Sequence, residues 1–175
     1  MNKTSFNLSE VVLYALLGSF MFASKQVMEV FPNVHILGML TVLYTLLFRF
    51  KALIPVYVFI LLEGIICGFN IWWVPYLYLW AILWGAAMLI PRRLKPIWLS
   101  LCCIVVCGSH GFLYGTLYAP FQALAFGLNF KGMITWIIAG IPFDIVHGVS
   151  NLFMGILVVP LYIPLKRELE KFNRP

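Results

Sequence analysis

Apolar residues run along this chain in long blocks, separated by prolines, charges and polar clusters. A transmembrane helix needs about 20 apolar residues, and several blocks approach that length. The pattern predicts six helices, over residues 8–30, 35–50, 52–69, 76–90, 97–118 and 132–165. The last one is longer than a bilayer requires, so we expect it to bend at Pro142, Pro160 or Pro164. Residues 91–96 form the clearest break, and residues 119–131 are predicted to be a longer connection.

The composition indicates that these helices are surrounded by lipid. Hydrophobic residues make up 63% of the chain and charged residues only 10%, whereas a soluble domain carries roughly 25% charged residues. This excludes a soluble globular domain. The six helices use nearly the whole chain, so we expect one compact transmembrane domain over residues 1–175. The N-terminus has no clear cleavable signal pattern, and we expect the first helix to stay.

The basic residues are distributed unevenly between the two predicted sides. Ten lie on one side: Lys3, Arg49, Lys51, Arg92, Arg93, Lys95, Lys166, Arg167, Lys171 and Arg174. The other side has only Lys25 and Lys131. Because loops rich in Lys and Arg stay in the cytoplasm, both termini are predicted to lie in the cytoplasm, with the chain crossing the cytoplasmic membrane several times. The positive charges flank membrane helices, which speaks against a nucleic-acid partner.

Polar side chains within the apolar blocks are costly and often functional. Asp144, His147 and Asn151 are spaced i, i+3, i+7 and share one helix face. They could line a cavity, or form a structural network in which Asp144 accepts a hydrogen bond from His147. Glu63 could pair with His147 or His110, and a structural role is favoured for it.

Aromatic residues cluster on the side with few positive charges, around Trp72, Trp73 and Tyr76. They could form the aromatic belt of the bilayer interface. Trp80 and Trp84 lie deeper, where an aromatic cavity would suit a flat ring compound.

Catalytic and metal motifs are weak. Cys103, Cys107 and His110 share a helix face and could bind a soft metal, but small buried thiols commonly only pack. Ser109 lacks the GxSxG context of a nucleophile. We therefore expect neither enzymatic activity, nor a metal, nor a cofactor.

Helix 1 carries small residues every four positions: Ala15, Ser19 and Ala23, with Gly18 beside them. Such a stripe lets another helix approach closely. It could pack inside the bundle or dock a second membrane subunit.

Taken together, these elements resemble the substrate-binding S components of energy-coupling factor (ECF) transporters. The resemblance covers essentially the whole chain: its size, its six helices with both ends inside, the stripe, the turn FPNVH at 31–35, and PFDIVHGVSN followed by VVPLYIPLKREL. It implies tight binding of a vitamin or related micronutrient. It also implies docking through the stripe onto a shared transmembrane coupling subunit that carries two ABC ATPases.

The family's pocket lies at the outer ends of helices 4 to 6 and in the loop between helices 1 and 2. On this chain the resemblance implicates His35, Trp72, Trp73, Tyr76, His110, Tyr114, Asp144, His147 and Asn151. Nickel and cobalt members have a histidine at the second position, where this chain has Asn2, so a metal substrate is disfavoured.

Two other functions stay open from the residues alone. A self-sufficient small transporter or channel would use Glu63, Asp144 and His147 as proton or ion sites. An intramembrane enzyme would combine His110 or His147 with Ser109 or Cys107. The ligand's charge is also open, because the carboxylates favour a cation whereas Lys25, Lys131 and the histidines favour an anion.

Overall fold

The computed structural model describes residues 8–91 and 93–172, and all regular secondary structure within them is helical. Two short 3-10 turns lie at Arg49–Ala52 and Ile71–Trp73. The α-helices are α1 (Leu8–Met28), α2 (Leu37–Phe48), α3 (Leu53–Cys67), α4 (Tyr76–Met88), α5 (Pro96–Phe126), α6 (Phe130–Ile156) and α7 (Val158–Phe172). The predicted all-α class is confirmed.

Five stretches of the described chain are long and apolar enough to cross a membrane. They are Leu8–Met28, Leu37–Cys67, Ile71–Met88, Pro96–Phe126 and Phe130–Ile156. Large apolar side chains cover the outside of the bundle; Leu89 and Leu124, for example, are each 83% exposed. Such a surface suits lipid rather than water, as expected for a membrane protein.

The stretch Leu37–Cys67 contains two helices that run in opposite directions. Arg49, between them, has a positive φ of 56°, which ends α2. At the end of α4, the Trp84 indole donates to the Arg49 carbonyl over 3.0 Å. Near the start of α4, the Leu77 carbonyl accepts a hydrogen bond from the Tyr57 hydroxyl of α3 over 2.9 Å. Helix α3 is therefore antiparallel to α4, and the chain reverses between α2 and α3.

Helix α1 packs parallel to α3 through Gly18. A Cβ at this position would lie 2.6 Å from the Val58 side chain and 2.7 Å from the Pro55 carbonyl, so only glycine fits here without a shift. Ion pairs join the helices at both ends: Lys51 to Glu10 at one, and Lys25 to Glu63 at the other.

Helices α5 and α6 also run antiparallel, and glycines bring their backbones together. A Cβ at Gly111 would lie 2.8 Å from the Gly148 Cα, and one at Gly155 would lie 2.8 Å from the Ile104 Cα. Glycine removes the side chains that would keep the two helices apart. This close packing determines which residues of α6 lie opposite which residues of α5.

The predicted connection at residues 119–131 is wrong over most of its length. Helix α5 continues to Phe126 with Pro120 inside it, since one proline removes only one hydrogen bond of the helix. Gly127 ends the helix with a positive φ of 64°. The Asn129 side chain then caps α6 by accepting from the Gly132 N–H over 2.8 Å.

The last long helix, for which a bend was expected, is interrupted at Leu157, between α6 and α7. Pro160 lies four residues after Ile156. In an uninterrupted helix its ring would clash with the Ile156 carbonyl. The polar tail after this interruption is helical as far as Phe172.

Candidate functional site

A cavity of about 200 Å³ lies at one end of the bundle, under the segment that links α1 to α2. We call it the linker pocket. Residues from the end of α1, the linker and three further helices line it: Lys25, Met28, Glu29, Phe31, Pro32, Asn33, Val34, His35, Tyr76, Tyr114 and His147. Four of the nine binding residues expected from the sequence are among them, namely His35, Tyr76, Tyr114 and His147.

Two backbone turns shape the linker that covers this pocket. The Phe31 N–H donates to the Met28 carbonyl over 2.9 Å, and the Val34 N–H donates to the Phe31 carbonyl over 3.0 Å. Asn33 has a positive φ of 62°, a conformation that asparagine tolerates better than most residues. The linker thereby places His35 against the helices.

Aromatic rings form the inner wall of the pocket. The His35 and His147 ring centroids are 4.7 Å apart, and those of Tyr114 and His147 are 4.8 Å apart, both edge to face. Behind them Trp80 is 1% exposed, and its ring centroid lies 5.9 Å from that of His35. Edge-to-face packing holds such rings in fixed orientations.

Two imidazole nitrogens of this wall are buried without a hydrogen-bond partner among the described residues: His35 Nδ1 and His147 Nε2. The His147 side chain is also well buried, at 4% exposure. Removal of the His35 ring from water lowers its pKa to about 4, so it is neutral at physiological pH. A neutral imidazole offers one N–H donor and one nitrogen acceptor. Buried polar groups of this kind usually have partners, so these two nitrogens are unused hydrogen-bonding groups in the wall of the cavity.

Lys25 reaches the pocket wall but is already ion-paired. Its Nζ lies 2.8 Å from Glu63 Oε2, and Gln26 Nε2 donates to Glu63 Oε1 over 3.2 Å. Glu63 is completely buried. The expected pairing of Glu63 with His147 or His110 is wrong, because the parallel packing of α1 on α3 brings Lys25 and Gln26 to this carboxylate instead.

The two neighbouring tryptophans have different environments. Trp72 borders the site: its ring centroid lies 5.6 Å from that of Tyr76 and 6.0 Å from the Lys25 Nζ. Trp73 points elsewhere, since its indole donates to the Ile60 carbonyl over 2.7 Å and its ring packs on Phe69. Trp73 therefore anchors the 3-10 turn to α3 and does not line the pocket.

His110 lies one layer deeper than the pocket. Its Nε2 is 3.1 Å from the Leu79 carbonyl, and its ring centroid is 5.8 Å from that of Tyr114. It supports the aromatic wall from behind and is not among the lining residues.

Asp144, His147 and Asn151 all face inward, as the helical spacing predicts. Asp144 accepts a hydrogen bond from the Gly115 N–H over 3.0 Å, and not from His147 as one interpretation expected. Asn151 packs where α2 and α5 each have a glycine, and a Cβ at Gly38 would lie 2.5 Å from its Oδ1. Only His147 of the three lines the pocket.

The resemblance pointed to the loop between helices 1 and 2, but His35 was the one residue of it named as a binding residue, and Lys25 was considered as an anion contact without being placed in the pocket; the other lining residues of the linker were missed. The signal for the linker was the FPN turn beside His35, since a turn that leads into a histidine can cover a site. Nothing in the sequence separates the Lys25 of the pocket wall from a surface lysine.

The small-residue stripe of α1 faces away from the bundle. Ala15, Ser19 and Ala23 are exposed, whereas the neighbouring Gly18 makes the close contact with α3. The interpretation that the stripe packs inside the bundle is wrong for these three residues.

The sequence matches no family model, no curated protein matches it, and no solved structure matches the chain. Functional interpretation therefore rests on the geometry of the site.

Proposed function

We propose that this protein is the substrate-binding S component of an ECF-type uptake transporter and binds a vitamin or related micronutrient with high affinity. The linker pocket carries the proposal. It is small, walled by aromatic rings, covered by a structured linker, and bordered by His35 and His147, each of which has a buried ring nitrogen without a hydrogen-bond partner among the described residues. Concave aromatic cavities with a few convergent polar groups are typical ligand sites.

The proposed topology has six membrane crossings with both termini in the cytoplasm. The reversal at Arg49 supports two short crossings within Leu37–Cys67. Arg49, Lys51 and the basic helix α7 lie at the end of the bundle opposite the linker pocket, which agrees with the positive-inside rule. Lys3, Arg92 and Arg174, counted in the sequence, lie outside the described residues. The pocket would then open to the cell exterior.

We assign the exposed stripe of Ala15, Ser19 and Ala23 to docking on a transmembrane coupling subunit, which would bring two ABC ATPases. A flat face of small residues allows a second helix to approach without displacing side chains. Energy for uptake would come from those ATPases, and this chain would contribute binding alone.

The contacts favour a binding subunit over the other two functions. The carboxylates that an ion-coupled transporter would use are held in the fold: Glu63 by Lys25, and Asp144 by the Gly115 N–H. For an enzyme, Ser109 is exposed on the outside of α5, and no hydrogen bond joins it to a histidine in the described part of the chain.

Binding is tested on protein purified from a vitamin-replete host, with native mass spectrometry of the co-purified molecule followed by calorimetry. We expect one micronutrient per chain with a sub-micromolar Kd. His147→Ala should weaken binding about 10- to 100-fold, because loss of a buried hydrogen bond costs about 1–3 kcal/mol. Trp73→Phe is the matched control at the same end of the bundle and should stay within about threefold.

Two results would contradict the proposal. One is a preparation that carries no small molecule and binds none across a vitamin panel. The other is uptake by this chain alone in liposomes, which would indicate a self-sufficient transporter. With a coupling module present, Ser19→Leu should abolish uptake and leave ligand binding intact.

A further inference from the structure

We infer that the ligand of the linker pocket is a small ring compound without negative charge, whose edge carries both a hydrogen-bond donor and an acceptor. The inference rests on the proposed function and specifies the ligand class of the same site. The sequence left the charge of the ligand open, and the contacts of the pocket decide it.

The charges around the pocket disfavour an anion. Lys25 is the one cationic side chain among the lining residues, and the buried carboxylate of Glu63 neutralises it at 2.8 Å. Glu29 adds a negative charge to the same lining. Lys131, which could have met an anion, lies at the start of α6 and is exposed outside the lining. An anionic ligand would therefore enter a site whose summed charge is negative, and this costs free energy at short range.

The hydrogen-bonding groups of the wall suit an uncharged ring edge. His35 Nδ1 and His147 Nε2 are buried in neighbouring lining rings whose centroids are only 4.7 Å apart, so a planar ligand that displaces these rings slightly would meet both nitrogens. Neutral imidazoles supply one donor and one acceptor each, and a ring with neighbouring N–H and C=O or ring-nitrogen groups matches them. Tyr76 and Tyr114 line the same cavity, and aromatic side chains favour contact with a ring compound.

The volume limits the ligand's size. At about 200 Å³ the pocket is smaller than the roughly 300–1,000 Å³ of sites for drug-sized molecules. One ring, or two fused rings with short substituents, fits this space better than a large multi-ring compound.

The test compares ring compounds that differ by one anionic group: nicotinamide with nicotinate, pyridoxal with pyridoxal 5′-phosphate, and thiamine with thiamine monophosphate. Calorimetry on the purified full-length chain should show that the member without the acidic group binds at least about tenfold more tightly in any pair that binds. An anionic member that binds equally well or better overturns the inference and leaves the proposed function standing. If no pair binds and the replete-host preparation is also empty, both fail. If that preparation carries a micronutrient with a carboxylate or phosphate, the inference alone fails.

A charge-swap variant tests the cause of the selectivity. Glu63→Gln keeps an acceptor for Gln26 but leaves the charge of Lys25 uncompensated beside the pocket. We expect the ratio of anion to neutral affinity to rise about tenfold, as expected for one added unit of charge near the ligand. Glu10→Gln is the matched control, because it makes the same chemical change in the Lys51 ion pair at the other end of the bundle. An unchanged ratio in folded Glu63→Gln would overturn the role given to this ion pair, and the wild-type ranking decides the inference if the variant does not fold.

Discussion

Removal of the Lys25 ammonium should destabilise the protein by about 3 kcal/mol, because it leaves a buried carboxylate without its cation. Glu63 is completely buried, and Lys25 Nζ lies 2.8 Å from it. Breaking a buried pair from one side costs about 3–5 kcal/mol. The lower end applies here, because Gln26 still donates to Glu63 over 3.2 Å in Lys25→Met.

Two comparison variants separate burial from charge. Lys51→Met breaks the ion pair with Glu10, whose side chains are 43% and 32% exposed, and should cost only about 0–1 kcal/mol. The double variant Lys25→Met/Glu63→Leu removes both buried charges. It should recover most of the loss, since apolar replacement of a buried pair is often neutral or stabilising.

The assay is unfolding in mixed micelles of mild detergent and SDS, followed by tryptophan fluorescence and by far-UV circular dichroism. Together with the single variant Glu63→Leu, the wild-type protein, Lys25→Met and the double variant give the free energies of a double-mutant cycle. If Lys25→Met is no less stable than Lys51→Met, Glu63 is not shielded from water as the structure places it. A double variant as unstable as Lys25→Met would point to lost packing rather than to an unpaired charge.

Two further predictions concern helix packing and orientation. Gly115→Ala would place a Cβ 2.5 Å from Asp144 Oδ2 and should cost about 1–3 kcal/mol of unfolding free energy, whereas Gly140→Ala, with nothing within 4 Å, should be neutral or slightly stabilising. Equal melting temperatures for the two variants would contradict the close approach of α5 and α6. Cys67, exposed at the pocket end of the bundle, should react with a membrane-impermeant maleimide on intact cells, and Glu168→Cys only after permeabilisation. The reverse pattern would refute the proposed orientation.

Local chemistry made several parts of the fold predictable. Prolines and charges separate the apolar blocks, and most predicted helix ends agree with the structure to within about two residues, the usual uncertainty of such ends. The interruption at Leu157 follows from Pro160 for a steric reason that involves only its own helix. The predicted end of α5 was wrong because Pro120 and its neighbours were interpreted as a connection. A single proline inside a membrane helix is tolerated.

Contacts between distant parts of the chain were not predictable in the same way. Lys25 and Glu63 are 38 residues apart, and their pairing depends on α1 lying parallel to α3 in one particular register. Trp72 and Trp73 are adjacent in sequence with identical side chains. The 3-10 turn sends the first toward Tyr76 and the second toward Ile60, and no composition or periodicity distinguishes them.

The face formed by Asp144, His147 and Asn151 shows where helical periodicity stops being informative. The spacing places all three inside, and they are buried. Their roles then depend on what the facing helices present at each height. A glycine N–H of α5 meets Asp144, and Asn151 packs against glycines of α2 and α5, so both lie outside the pocket lining. At the height of His147, by contrast, the rings of His35 and Tyr114 border the cavity. Binding is therefore expected to depend on His147, and stability on Asp144 and Asn151, although the sequence alone gives the three residues equal weight.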